Sequence, residues 1–265
     1  MELQFEKQRF GKRLGTMLKV DFRRLFTMPL IYIMLAIALV MPILVVVMVT
    51  MMEGSVSVDP QTGVETVLEG FDSAWQMIAA PSGAPMSMDI TSMCNINLMY
   101  FAVGVFICLF VSQDFSSGYA KNLFTVRAKK GDYVISKTLV GIVSGVLMLG
   151  LFLIGSILGG AIAGLPFDAG KAGIGGVAMC MAAKCALMAV FAPIFLAVAV
   201  AAKQKAWLSI CCSMGGGMLL FMMIPMLTPL DATLIHVLGC LIGGTVFSLG
   251  LGAVSRLILK KTSLV

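Results

Sequence analysis

Charge is what this sequence has least of. Only 12% of its 265 residues are Asp, Glu, Lys or Arg, against 59% hydrophobic. A soluble chain of this length has no interior large enough to hide so much apolar surface, so a bilayer must serve as its solvent. Histidine is nearly absent: His236 is the only one, which leaves no H-E-x-x-H metal site and no histidine-based triad. It falls at the edge of an apolar run, where an interfacial or helix-start role is expected. The seven cysteines (Cys94, Cys108, Cys180, Cys185, Cys211, Cys212, Cys240) contain no C-x-x-C. They sit almost entirely in apolar runs and read as small buried hydrophobes. Neighbours on a helix diverge by about 100°, so Cys211 and Cys212 make a poor metal clamp. The apolar runs also lack the pair of carboxylates that a carboxylate proton relay needs. Gly164 to Lys171 looks at first like a phosphate loop, but the spacing is wrong and no Ser or Thr follows Lys171. No catalytic residues, metal or cofactor are therefore expected on this chain, and an intramembrane enzyme is poorly supported.

What is present is long apolar runs. A membrane-spanning helix takes about 20 predominantly apolar residues, and six stretches qualify: 30–52, 94–112, 134–165, 172–202, 206–227 and 234–257. The first follows nearly thirty residues rich in charge, too long a lead for a secretory signal, so it reads as a retained span. Positive charge precedes it (Lys7, Arg9, Lys12, Arg13, Lys19, Arg23, Arg24) and recurs between the second and third spans (Lys121, Arg127, Lys129, Lys130, Lys137). It recurs again at Lys203 and Lys205 and in the tail at Arg256, Lys260 and Lys261. The first-to-second loop holds six acids between Glu53 and Asp89 and no Lys or Arg. The positive-inside rule then predicts cytoplasmic termini and a multi-pass chain. The net charge of +6 is explained by topology and anionic lipid headgroups, and nucleic acid need not be invoked.

Ahead of the first span, Phe10, Leu14, Leu18, Phe22 and Phe26 recur every four residues, predicting an amphipathic helix over 1–28 that lies along the membrane surface. The outer loop, 53–92, is longer than a connection requires and carries Trp75 and three prolines; a small cap, an interfacial hairpin and a flexible strand all remain open. Small-residue spacings permit close helix contact at Gly141/Gly145, Gly155/Gly159, Gly160/Gly164 and Gly239/Gly243. Gly215-Gly216-Gly217, with Pro225 beyond, points to a weak or hinged fifth span. Lys184 lies about mid-bilayer with no acid in its own span, a costly position unless it meets backbone carbonyls, a subunit interface or a wet cavity.

The polar stretch from Gln113 onward reads as a cytosolic docking element. Its run Asp114-Phe115-x-x-Gly118-Tyr119-x-Lys121-Asn122-Leu123, followed by Arg127 and by Tyr133-x-x-Ser136-Lys137, resembles the permeases of the type 2 ABC transporter family. The resemblance implies an all-α polytopic permease domain over 29–265 with six transmembrane helices. It makes 1–28 an amphipathic connecting helix and 113–133 a cytosolic coupling element. It implies two copies of a cytosolic ABC ATP-binding subunit, which carry ATP and Mg, and a second permease chain, identical or related. Asp114, Phe115, Gly118, Tyr119, Lys121, Asn122, Leu123 and Arg127 are then the residues expected to dock the ATPase. By the same analogy Asn95, Asn97, Tyr100 and Met218 would line a substrate path, with Lys184 as a further candidate. The implied activity is export of an amphipathic or hydrophobic compound (a drug, lipid or antimicrobial peptide) across a bacterial cytoplasmic membrane. A secondary transporter or channel, or a non-transporting scaffold, are the alternatives.

Overall fold

Long apolar runs become long helices because a bilayer leaves backbone N–H and C=O groups no partner but each other. The computed structural model describes residues 10–58, 65–67, 70–81, 94–125, 129–170, 173–221 and 223–261. Helix α1 (Phe10–Thr27) leads into α2 (Pro29–Met52) through the single residue Met28. Pro29 opens α2 at no cost, since the first N–H of a helix has no intrahelical acceptor. A short hairpin follows, with β1 (Val56–Val58) antiparallel to β2 (Glu65–Val67). Next come a 3-10 turn (Ala74–Met77), then α3 (Leu98–Ser116), α4 (Tyr119–Thr125), α5 (Lys130–Ala163), α6 (Gly173–Ala202), α7 (Ala206–Phe221), α8 (Ile224–Leu227) and α9 (Leu234–Lys261). The outer loop is thus partly a hairpin and partly a cap; its stretches 59–64, 68–69 and 82–92 lie outside the described residues, as does 1–9 of the N-terminal segment.

Among the described residues, five helices (α2, α3, α5, α6 and α9) are long and apolar enough to cross a membrane. The stretch expected to form a further span, 206–227, is not among them and is described as two helices, α7 and α8. The chain is helical through Gly215-Gly216-Gly217 but stops at Phe221 and resumes at Ile224. Proline, not glycine, sets the break. Pro225 has no N–H to offer the Phe221 carbonyl four residues earlier, and its ring would collide with that carbonyl.

Helix α3 is the most enclosed, flanked by α5, α6 and α7, while α2 packs chiefly on α5 and α9 chiefly on α6 at the periphery. Two glycine pairs set the close approaches. A Cβ on Gly155 would stand 2.3 Å from the Leu39 carbonyl oxygen, and one on Gly159 would stand 3.0 Å from the Ile43 Cα, so α5 meets the α2 backbone directly. On the next face of α5, Gly141 and Gly145 receive Ile107 and Met188. Gly239 and Gly243, expected to act likewise, face open space.

On α1, Met17, Asp21 and Leu25 are buried against the bundle, while Phe10 and Phe26 are exposed. A repeat of four residues drifts about 40° per step against the 3.6-residue turn, so the ends of a long i, i+4 stripe leave the face its middle defines.

One end of the bundle gathers nearly all the positive charge. There α1 and α4 lie beside the start of α5. The α6–α7 connection joins them, with Ser112 Oγ donating to the Gln204 carbonyl at 3.2 Å, and so does the C-terminus of α9, whose Leu259 carbonyl accepts from Lys130 Nζ. Lys184 is the one Lys or Arg away from that end among the described residues. At the opposite end, residues 70–81 form a strap across the helix ends. Ala74 N donates to the Pro166 carbonyl (3.1 Å), Trp75 Nε1 to the Phe167 carbonyl (3.0 Å), Ile96 N to the Met77 carbonyl (2.9 Å) and Leu230 N to the Ala80 carbonyl (2.9 Å). Met77 and Ile78 are fully buried beneath it.

Candidate functional site

Two buried polar clusters stand out from the apolar bundle, one at each end. The first is ionic. Helix α5, 34 residues long, measures about 51 Å at 1.5 Å per residue, well beyond the roughly 30 Å hydrocarbon core. Its surplus opening turns carry Asp132, Tyr133, Ser136 and Lys137. Lys137 Nζ pairs with Asp21 Oδ1 of α1 at 2.9 Å and with Asp114 Oδ2 of α3 at 2.7 Å. Arg24 Nη1 of α1 approaches Asp114 Oδ1 at 2.7 Å. Ser136 Oγ donates to Asp21 Oδ2 (2.6 Å) and Tyr133 OH to Asp114 Oδ2 (3.0 Å). Two carboxylates thus meet two cations, and the hydroxyls occupy further lone pairs, as burial of charge demands. Aromatic faces complete the enclosure: Lys137 Nζ lies 4.1 Å from the Phe110 ring centroid, and the Arg24 guanidinium lies 4.1 Å from that of Tyr119. Burial works to lower the Arg24 pKa, but the charge and hydrogen bond of Asp114 outweigh it and the guanidinium is held still more firmly charged. Burial, with the nearby Asp21 carboxylate, raises the Tyr119 phenol and keeps it neutral. Nearer the helix start, Arg13 Nε donates to Asp132 Oδ2 at 2.9 Å.

The cluster mounts α4. Gly118 turns the chain into it with φ of +73°, the left-handed region where glycine is unstrained. Ala120 is buried, Phe124 meets Tyr133 edge to face at 5.4 Å, and Tyr119 is held under Arg24. Lys121 and Asn122 project outward, and Leu123 is half-buried. The eight residues expected to dock a partner therefore separate. Asp114 and Phe115 are buried and face inward, Gly118 and Tyr119 shape and seat the helix, and Lys121, Asn122 and Leu123 offer surface. Arg127 lies outside the described residues. Sequence reasoning missed Asp21 and the pairing role of Arg24, although Asp21 is the single acid in an otherwise basic helix. That isolation was the available signal.

The second cluster surrounds Lys184 in α6. Its Nζ donates to Asn97 Oδ1 at 2.7 Å, just before α3, and to Thr228 Oγ1 at 2.9 Å, just after α8. The Thr228 hydroxyl donates in turn to the Ile224 carbonyl (2.9 Å), and Tyr100 OH of α3 donates to the Lys184 carbonyl (2.9 Å). Asn95 Oδ1 accepts from the Asn97 N–H at 3.0 Å, and Cys180 Sγ donates to the Thr228 carbonyl at 3.5 Å. Asn95, Asn97, Tyr100 and Lys184, four of the expected path residues, thus form one closed knot, all buried. Met218 does not join them; it sits on the exposed face of α7. Thr228 was not foreseen, because nothing in its local sequence marks it. His236 has the helix-start role expected of it, accepting the Thr233 N–H on Nδ1 at 3.1 Å to cap α9.

Neither a curated protein nor a solved structure matches the chain. The family model described as "ABC-2 family transporter protein" matches residues 17–219. That span contains Asp21, Arg24, Asp114 and Lys137 of the ionic cluster and Lys184, while Arg13 and Thr228 lie beyond it. Five apolar helices of membrane-spanning length among the described residues and this match over most of the chain agree: the protein belongs to the ABC-2 family and is the membrane subunit of an ABC-2 type transporter, a permease domain that does not itself carry ATPase activity.

Proposed function

We propose that this chain is the permease of an ATP-driven exporter in a bacterial cytoplasmic membrane. Its cationic end, with both termini, faces the cytosol. The interrupted pair α7–α8 is the sixth crossing, and α4 is the coupling helix that rests on a cytosolic ATP-binding subunit. Two such subunits, carrying ATP and Mg, serve this permease and a second, identical or related one, and the cargo is an amphipathic or hydrophobic compound. The observation that carries this reading is the mounting of α4. A seven-residue helix has little stability of its own, yet Tyr119 is seated under the Arg24 guanidinium, Phe124 packs on Tyr133 and Ala120 is buried, while Lys121 and Asn122 are left outward. A part fastened so firmly and left bare on one side suits the transmission of force from a docked protein.

The test is co-purification in mild detergent. With the tagged wild-type chain we expect a stoichiometric ATPase, and with Lys121→Glu combined with Asn122→Ala we expect its loss while membrane insertion is unchanged. Recovery of folded wild-type permease with no ATPase would refute the coupling assignment. Tyr119→Asp would be a poorer probe, because the new carboxylate would also disturb Arg24.

A further inference from the structure

We infer that Lys184 is a spring-loaded bolt that holds the strap end of the bundle shut. This rests on the exporter reading only in taking that end as the exit side. The observation is a buried ammonium whose two side-chain partners, Asn97 and Thr228, are neutral and belong to different moving parts: one starts α3 and the other ends the broken α7–α8. The strap ties the same ends from above, through Ile96 and Leu230. The two devices differ in kind. Backbone bonds of the strap join neutral groups and lose little when water replaces them. An ammonium held among neutral dipoles in a membrane interior gains much more from water, because hydration is its best available state. Two charge-assisted hydrogen bonds keep it dry in the closed form. Once α8 shifts and Thr228 withdraws, the remaining partner is insufficient, and the cation itself favours entry of water and separation of the helix ends. Thr228 ends the separate short helix α8, joined to α7 through a turn in which Met223 N donates to the Leu220 carbonyl at 3.0 Å, and a joint of that kind needs only a small step.

The native cysteines report the motion. Cys180 is wholly buried against the Thr228 carbonyl, within the knot, whereas Cys108 is wholly buried between α3 and α7 beside Ser213, 3.1 Å away. The complex is reconstituted in nanodiscs, which expose both faces, and treated without nucleotide with a membrane-impermeant maleimide; modified cysteines are identified by mass spectrometry. Asn97→Leu combined with Thr228→Val removes both acceptors with little change of shape. We expect Cys180 to react at least about tenfold faster, the shift that loss of two charge-assisted bonds implies, while Cys108 remains protected. Adding Lys184→Met removes the charge that seeks water and is expected to restore protection of Cys180. Ordinary packing predicts the reverse, since a third substitution in the same knot would loosen it further. The inference is overturned if Cys180 stays protected in the double variant, if the triple variant reacts as fast as the double, or if Cys108 opens together with Cys180. None of these readouts requires ATP, so absence of an ATPase in the co-purification would remove the exporter reading and leave this result standing.

Discussion

Asp114 and Lys137 each touch two partners of opposite charge, so neither can be removed without leaving a buried ion exposed to low dielectric. Breaking one member of such a group costs about 3–5 kcal/mol, while replacing both partners by neutral groups costs far less. Lys137→Met is accordingly expected to lower the thermal unfolding midpoint of the purified permease sharply, and Asp21→Asn in the same chain to recover part of the loss. Additive losses in this cycle would show that the two side chains do not act as a pair. Glycines give a second contrast at this scale. Gly155→Ala would press a methyl onto the Leu39 carbonyl and is expected to cost about 1–3 kcal/mol. Gly239→Ala meets nothing and is expected to be neutral or to gain up to about 1 kcal/mol from better helix propensity. Both are read from the same unfolding midpoints. The sequence shows the two glycine spacings as equivalent. What distinguishes them is which helix lies opposite, and no local pattern carries that information.

Among the elements, the long helices were legible because hydrophobic run length maps directly onto bilayer thickness, and the predicted limits of α2 and α6 fall within about two residues of the observed ones, the ordinary scatter of helix ends. The fifth expected span was legible as a weak or hinged one but not in where it gives way, since the chain stays helical through Gly215-Gly216-Gly217 and is interrupted just before Pro225. Pro225→Ala supplies the missing N–H to Phe221 and is expected to join α7 to α8. Hydrogen exchange at the amides of Met223, Ile224 and Met226 would then slow, whereas unchanged exchange would mean that tertiary packing, not Pro225, interrupts the helix. The residues proposed to dock a partner were picked out as a segment of sequence, not as a surface. Only the positions of α1 and α5 decide that Asp114 turns inward and Lys121 outward.

Viewed whole, the molecule is electrically polar along its long axis. Cations crowd the α1–α4 end, and Glu53, Asp72, Asp168 and Asp231 mark the strap end. Orientation follows from this if the positive-inside rule holds. Lys121 and Asp168 are both exposed, so single cysteines placed at these sites report it. Lys121→Cys is expected to react with impermeant reagent only in inside-out vesicles, and Asp168→Cys only in right-side-out ones; the opposite pattern would invert the chain and place α4 outside. One joint has a further mechanical consequence. Met28 alone separates α1 from α2, and both helices are fastened to α5, one by Asp21 and Lys137 and the other by the seat at Gly155 and Gly159. Three rods pinned pairwise form a truss. The elbow at Met28 cannot fold while both pins hold, so any push that reaches α5 moves the triangle as a unit rather than bending it.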